Sequence, residues 1–289
     1  MTNKTILITG ATDGIGKMTA KTLAAQGHTI VIHGRNKAKA EAVVQEIKSE
    51  TGNTKVEYVL ADLLLMADTK RMVSDIKSKY DHLDVLVNNA GAFFNKQRET
   101  TKEGFEKTIA LNLFAPFLLM QSLLELLVKS QSARIVNVYS AMHRRGGKPD
   151  FNDFQLENSY KVARAYGLSK LYLVWMTKHM ASELKKKGIN NITVNATHPG
   201  AVSTNFGRES DKGFFINLVF KIAARFTDKP ETGAVTSIYL ATSPKVEGVT
   251  GQFYDNKAKI EKPDDKYWSI QNEQKVWDYL QKVLKPYLA

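Results

Sequence analysis

Six short runs rich in Val, Ile and Leu punctuate this 289-residue chain: KTILIT at Lys4, TIVIH at Thr29, VEYVLA at Val56, DVLVNN at Asp84, RIVNVYS at Arg134 and ITVNATH at Ile192. The runs are nearly continuous in apolar residues, so strands formed from them are buried on both faces. The segments between them are long enough for crossover helices, which parallel pairing demands. This rhythm predicts an α/β fold, a Rossmann-type doubly wound parallel sheet of about seven strands with helices on both faces. A last short strand is expected at GQFY from Gly251, after a helix over Pro230 to Thr242.

No repeat, low-complexity linker or composition break marks a second domain, so residues 1–289 are expected to form one. Within it, residues 1–140 form mainly a dinucleotide-binding half and 260–289 a helical extension. Two stretches break the rhythm. Residues 141–159 are too long and polar for a strand-to-helix turn, which predicts a lid or surface insertion, and 207–229 are rich in aromatic and aliphatic side chains, which suggests a helix covering something apolar.

Composition excludes several classes. There is no cysteine, so disulfides and thiolate metal sites are out, and a reducing compartment is expected. The six histidines form no i, i+4 pair, and no metal is expected. The balance of 41 basic against 29 acidic residues gives +12, which permits anionic partners, but the cations are scattered. KKKG at Lys185 reads as a solvated helix end, with cations opposing the macrodipole, so no nucleic acid is expected. The longest apolar tract, LNLFAPFLLMQSLLELLV from Leu111, is interrupted by Asn112, Pro116, Gln121 and Glu125 and reads as a buried helix, not an integral membrane span. TILIT reaches the first glycine turn too soon for a signal peptide, and a cytoplasmic location is expected.

After the first strand comes TGATDGIG, with glycines at 10, 14 and 16. That spacing lets the chain turn sharply, bring its backbone against a pyrophosphate and open a helix whose first amides face the anion. The helix is expected over Ile15 to Ala25. At the end of the second strand an acidic residue would bind a ribose 2′-hydroxyl and a basic one a 2′-phosphate. The chain reads HGRNK there, with Arg35 beside Asn36 and with Lys37 and Lys39 nearby, which favours NADP(H) over NAD(H).

Further on, RAYGLSKLYL places Tyr166 four residues before Lys170. With 11 tyrosines and 32 lysines in 289 residues, about one such pair is expected by chance, so the pair gains meaning only from its company. On a helix the two side chains face the same way. A free phenol titrates near 10, and a neighbouring ammonium and an oxidised nicotinamide both favour its phenolate. Tyr160 is a rival base, but its i+4 neighbour is Arg164, which does not release a proton usefully.

Together with TGATDGIG, the strings ADL at Ala61, NNAG at Asn88, LNL at Leu111, NVYS at Asn137, YGLSK at Tyr166 and HPGAVST at His198 occur in one order along nearly the whole chain. In that order they resemble the short-chain dehydrogenase/reductase (SDR) family, nearest to its retinol-dehydrogenase-like, NADP-linked members. Two departures stand out. Tyr139 precedes the serine where Ser is common, and the N-terminal membrane anchor of many retinol enzymes is not expected here. Ser140 and Tyr166 lie 26 residues apart, a long interval shared with those members.

The resemblance implies an oxidoreductase interconverting a small-molecule carbonyl and alcohol. Tyr166 would exchange the proton, Lys170 hold the nicotinamide ribose, Ser140 bond the substrate oxygen, and Asn112 hold a water linking Lys170 to solvent. Without the resemblance, Asn112 reads as a buried amide satisfying helix backbone. The cofactor would further meet Gly10, Thr12, Asp13, Gly14, Ile15, Gly16, Arg35, Asn36, Asp62, Leu63, Asn89, Ala90 and Gly91. Pro199, Gly200, Val202 and Thr204 would lie beside the nicotinamide.

Phe93, Phe94, Phe206, Phe214, Phe215 and Phe220 fall in or near roof segments, which suggests a moderately apolar substrate, or equally core packing. His143, three residues after Ser140, reads as pocket lining or as a surface-loop residue. FFINLVFKIAARF could instead contact a membrane surface or another subunit. A homodimer or homotetramer, paired through helices beginning near Glu103 and Tyr160, is expected. Two other classes share these features: an NADP(H)-binding sensor or scaffold without turnover, and a sugar-nucleotide epimerase or dehydratase. The latter usually carries a larger C-terminal substrate region than follows Pro199.

Overall fold

The computed structural model describes residues 3–200 and 230–288. Seven strands, β1 (Thr5–Ile8), β2 (Thr29–Gly34), β3 (Val56–Leu60), β4 (Val85–Asn88), β5 (Ala133–Val138), β6 (Ile192–Thr197) and β7 (Phe253–Tyr254), form one sheet in the order β3-β2-β1-β4-β5-β6-β7. Every pairing is parallel, with Leu7 opposite Val31 on one side and Leu86 on the other. The seventh strand is only two residues of the expected GQFY. Because side chains alternate across a strand, Ile6 and Ile8 join Ile32, Val85 and Val87 in the core on one face, while Leu7 joins Val31, Leu86 and Ile135 on the other.

Helices fill both faces. One layer holds α1 (Gly14–Ala25), α2 (Lys37–Thr51) and, late in the chain, Pro230–Thr242. On the other lie α3 (Met66–Lys79), α4 (Lys107–Ile109), α5 (Ala115–Ser122), α6 (Leu124–Val128) and α7 (Val162–Lys186). Numbering in chain order makes Pro230–Thr242 α8, and α9 spans Ile270–Leu288. No described helix is long and apolar enough to cross a membrane.

The apolar tract at Leu111 is not the single helix expected. It begins in a π-turn, Ala110–Phe114, continues as α5 with Pro116 in its first turn, and restarts as α6 after Leu123. The helices expected near Glu103 and Tyr160 therefore begin at Lys107 and Val162.

The extension covers part of the surface expected for pairing. On α9, Val276, Trp277, Leu280 and Leu284 are buried, and the Trp277 ring meets Phe117 of α5 edge-on at 5.2 Å. His179 of α7 bonds Glu273 at 3.2 Å. Residues 141–159 likewise lie partly in the core: Phe154 is 4% exposed and stacks on Tyr279 at 3.8 Å and on Tyr172 at 4.7 Å. Two aromatic neighbours hold that half of the segment between α7 and α9.

A buried histidine fixes the glycine turn relative to the sheet. Gly10, at φ 62, donates its amide to His33 Nδ1 at 3.1 Å, and His33 Nε2 lies 3.0 Å from the Ala61 carbonyl. Those partners require a neutral ring with its hydrogen on Nε2. Burial pushes the His33 pKa down to about 4. Below 6.5 an unfolded chain takes up a proton that the folded chain refuses, so stability falls as pH drops from 6.5 toward 4, by about 3 kcal/mol in total. Denaturant unfolding at pH 7 and pH 4 should show His33→Asn less stable at pH 7 but with a pH-dependent loss smaller by about that amount. Equal losses in both proteins would contradict a neutral, buried His33.

Candidate active site

In an open parallel sheet, ligands bind outside the carboxyl ends of the strands where the strand order reverses. Here that place lies between β1 and β4, and their two loops are stapled together. Thr9 Oγ1 accepts the amides of Asn89 and Ala90, both at 3.0 Å, while the Asn89 side chain donates to the carbonyls of Thr9 at 2.8 Å and Gly10 at 3.2 Å. Of the residues expected on the glycine turn, Thr12 packs against Gly34 at the end of β2, and Asp13 caps α1 by accepting the Gly14 amide at 2.8 Å. Ile15 accepts the Thr19 hydroxyl through its carbonyl, and Gly16 is buried. The helix starts one residue before the expected Ile15, at Gly14.

Arg35 is exposed and makes no hydrogen bond or ion pair among the described residues. Its neighbours are committed elsewhere. Asn36 caps α2 by accepting the Lys39 amide at 2.9 Å, and Lys39 Nζ pairs with Asp13 at 2.8 Å. Past β3, Asp62 accepts the Leu64 amide at 3.1 Å, and the Leu63 side chain is 2% exposed, within the core. Leu63 therefore has only backbone to offer a cofactor.

Tyr166 and Lys170 sit one turn apart on α7, 6% and 3% exposed. Ser140 follows β5 in extended conformation, and its hydroxyl favours the charged form of the Tyr166 phenol. The chain's own residues alone do not tune this phenol downward; the sequence expectation drew also on an oxidised nicotinamide. Burial pushes Tyr166 up to about 12, and only the Ser140 hydroxyl opposes it. The same burial pushes Lys170 down to about 7, which weakens the neighbouring positive charge on which the expectation relied.

Lys170 Nζ donates to the Val138 carbonyl at 2.9 Å and lies 5.8 Å from the Tyr166 ring centroid. An ammonium carries three donors, so this buried group has capacity for further acceptors. Beside it, a Cβ added to Gly91 would lie 3.0 Å from Asn112 Oδ1 and 3.3 Å from Lys170 Nζ and would crowd both. Glycine turn, exposed Arg35, bare Gly91 and buried ammonium make a donor set suited to a phosphorylated, hydroxyl-bearing dinucleotide.

Asn112 reaches none of these groups by a direct bond. Its Oδ1 accepts the Ala92 amide, and its Nδ2 donates to the Ala92 carbonyl, both at 3.0 Å, and to Ser169 Oγ at 3.2 Å. The amide thus satisfies loop backbone, not helix backbone, and clamps the loop after Gly91 onto α7.

Phe93 stacks on Tyr166, ring centroids 3.8 Å apart, with Val162, Met142 and Tyr160 around the pair. His143 is neither pocket lining nor a surface residue. It is 2% exposed, bonded through Nδ1 to the Ser140 carbonyl at 2.8 Å and through Nε2 to the Asp264 amide at 3.0 Å. Tyr160 donates its hydroxyl to the Asn95 carbonyl at 2.8 Å. Pro199 and Gly200 follow β6. Val202, Thr204, Phe206, Phe214, Phe215, Phe220 and the whole of 207–229 lie outside the described residues. His33 and Thr9, which hold the two cofactor loops, were not singled out from sequence. Only the strand-end position of each could have pointed to them.

Comparison with known proteins agrees with this geometry. The family model for short chain dehydrogenases matches residues 4–213. Human polyprenol dehydrogenase is 38% identical over 265 residues, which take in 88% of this chain and 77% of that protein. Human retinol dehydrogenase 14 is 34% identical over 292 residues, covering 96% and 85% respectively. A short chain dehydrogenase from Shigella flexneri, solved in complex with NADP, superposes with a TM-score of 0.69 at 25% identity, over 89% of this chain and 98% of that one. With most of its length matched by that model and by relatives above 30% identity, the chain belongs to the short-chain dehydrogenase family, among retinol-dehydrogenase-like members.

Proposed function

We propose that the protein is an NADP(H)-dependent oxidoreductase that interconverts a carbonyl and an alcohol, with Tyr166 as proton donor and acceptor. The observation that carries this reading is the convergence of a buried phenol, a serine hydroxyl that favours its charged form and a buried ammonium with spare donors beside Gly91. When bound, the nicotinamide would supply or accept the hydride. Lys170 would donate to the ribose hydroxyls, Arg35 would meet a 2′-phosphate, and the backbone around Gly10 and Gly91 would lie along the pyrophosphate and ribose.

In reduction, the Tyr166 O–H bond breaks and its proton passes to the substrate oxygen as the carbonyl carbon becomes a C–H centre. Ser140 holds that oxygen by a hydrogen bond. A phenol near 12 is protonated at neutral pH and so enters this direction already in the donating form. In the reverse direction the same oxygen must first lose its proton. Phe93 over the Tyr166 ring gives the reacting end an apolar wall, and polyprenol and retinol, in the names of relatives, are apolar alcohols. An apolar alcohol or its carbonyl counterpart is the substrate class we infer. Residues 141–159 and 207–229 remain our choice for the site's outer boundary, within one domain. Pairing of copies would use surface other than the part of α5 and α7 that α9 covers, and a cytoplasmic location is part of the same reading.

Tyr166→Phe should lose turnover on an apolar aldehyde or ketone panel by about a hundredfold or more while still binding NADPH. Substantial retained turnover would rule out the proton-transfer role, and binding without turnover by the unaltered protein would favour a sensor or scaffold. Arg35→Ala should weaken NADPH by about tenfold or more and NADH far less, because only the former carries the 2′-phosphate. Equal losses would remove the assignment of NADP(H).

A further inference from the structure

Behind Ser140 lies a polar cluster that the proposed reaction does not use. Tyr139 is 1% exposed and donates its hydroxyl to Glu261 Oε1. His198, at the end of β6, lies with Nε2 3.2 Å from the same Oε1, and its Nδ1 accepts the Gly200 amide at 3.2 Å. These partners assign the hydrogen to Nε2 of His198. Burial and the carboxylate both hold the Tyr139 phenol well above its ordinary range, so it stays a donor to Glu261. Tyr139 also packs edge-on against His143 and His198, at 5.4 and 5.5 Å.

Residues 255–264, which follow β7, touch both loops that flank the reacting end. Glu261 is anchored by its own amide to the Phe253 carbonyl at 2.9 Å. Three residues on, the Asp264 amide bonds His143, whose other ring nitrogen bonds the Ser140 carbonyl. Two histidines thus relay this one segment to two backbones, His143 to Ser140 and His198 to Gly200. The tyrosine at 139, in the place where the resembled family commonly has serine, supplies the phenol that reaches Glu261.

We infer that Glu261, through Tyr139 and His198, is a positioning residue that sets the separation between the Ser140 loop and the Pro199–Gly200 turn. The inference rests on the reading of Ser140 and Tyr166 given above. The carboxylate's Oε1 receives both bonds, and a glutamine carbonyl has two lone pairs and receives both as well. Alanine receives neither. Displacement of reacting groups by a fraction of an ångström slows chemistry without abolishing cofactor binding.

The test has two readouts on the full chain. Hydrogen exchange followed by mass spectrometry should show Glu261→Ala faster in peptides covering 139–146 and 198–200 and unchanged over the glycine turn at 9–16, with Glu261→Gln close to the unaltered protein. With NADPH and an apolar aldehyde, Glu261→Ala should lower kcat by about tenfold with KM for NADPH changed little, and Glu261→Gln should restore it. Unchanged exchange in Glu261→Ala, or equal losses of kcat in the Ala and Gln variants, would overturn the inference. If Glu261→Ala does not fold, Tyr139→Phe removes one hydroxyl and should loosen the 139–146 peptides. No change there would also overturn it. An unaltered protein that turns nothing over, but whose exchange responds as described, would sink the proposed reaction and leave the coupling standing.

Discussion

Burying both faces of a seven-stranded parallel sheet leaves the strands' carboxyl ends as the rim where this chain gathers its polar groups. Parallel strands all point one way, so β1, β4, β5 and β6 deliver Gly10, Asn89, Ser140 and His198 to the same edge. Those loops are then tied sideways: His33 holds the first turn to the end of β3, Thr9 and Asn89 join β1 to β4, and Glu261 spans β5 and β6. Precision at the rim therefore comes from bonds between loops, whereas stability comes from the apolar layers beneath.

The same burial that makes the core sets the electrostatics of the site. Moving Lys170 from 10.5 to about 7 corresponds to about 5 kcal/mol of disfavour for its charge. One hydrogen bond from a charged group returns about 1.5–3 kcal/mol, so the Val138 carbonyl alone does not offset that cost. Ribose hydroxyls would supply the missing acceptors. Tyr166 moves the opposite way under the same cause, since burial disfavours phenolate as it disfavours ammonium.

Strands, helix layers and the Tyr166–Lys170 pair were legible because each depends on spacing within a few residues. Unbroken Val/Ile/Leu runs mark doubly buried strands, and a four-residue interval on a helix marks one face. What escaped depends on groups distant in sequence. The rise in Tyr166 comes with a shell that includes Phe93, and the burial of His143 comes with Asp264. The tract at Leu111 looks like one helix until Asn112 is seen bonded to the Ala92 peptide within a π-turn. The 141–159 stretch looks like a lid because its polar residues outnumber Phe151, Phe154 and Leu156, yet those few side chains decide where it packs.

The central claim is that this rim holds a 2′-phosphorylated nicotinamide dinucleotide, and calorimetric titration of the unaltered protein with NADPH and, separately, NADH tests it most directly. The account predicts NADPH binding tighter by about tenfold, or about 1.4 kcal/mol. Binding of neither dinucleotide would contradict it.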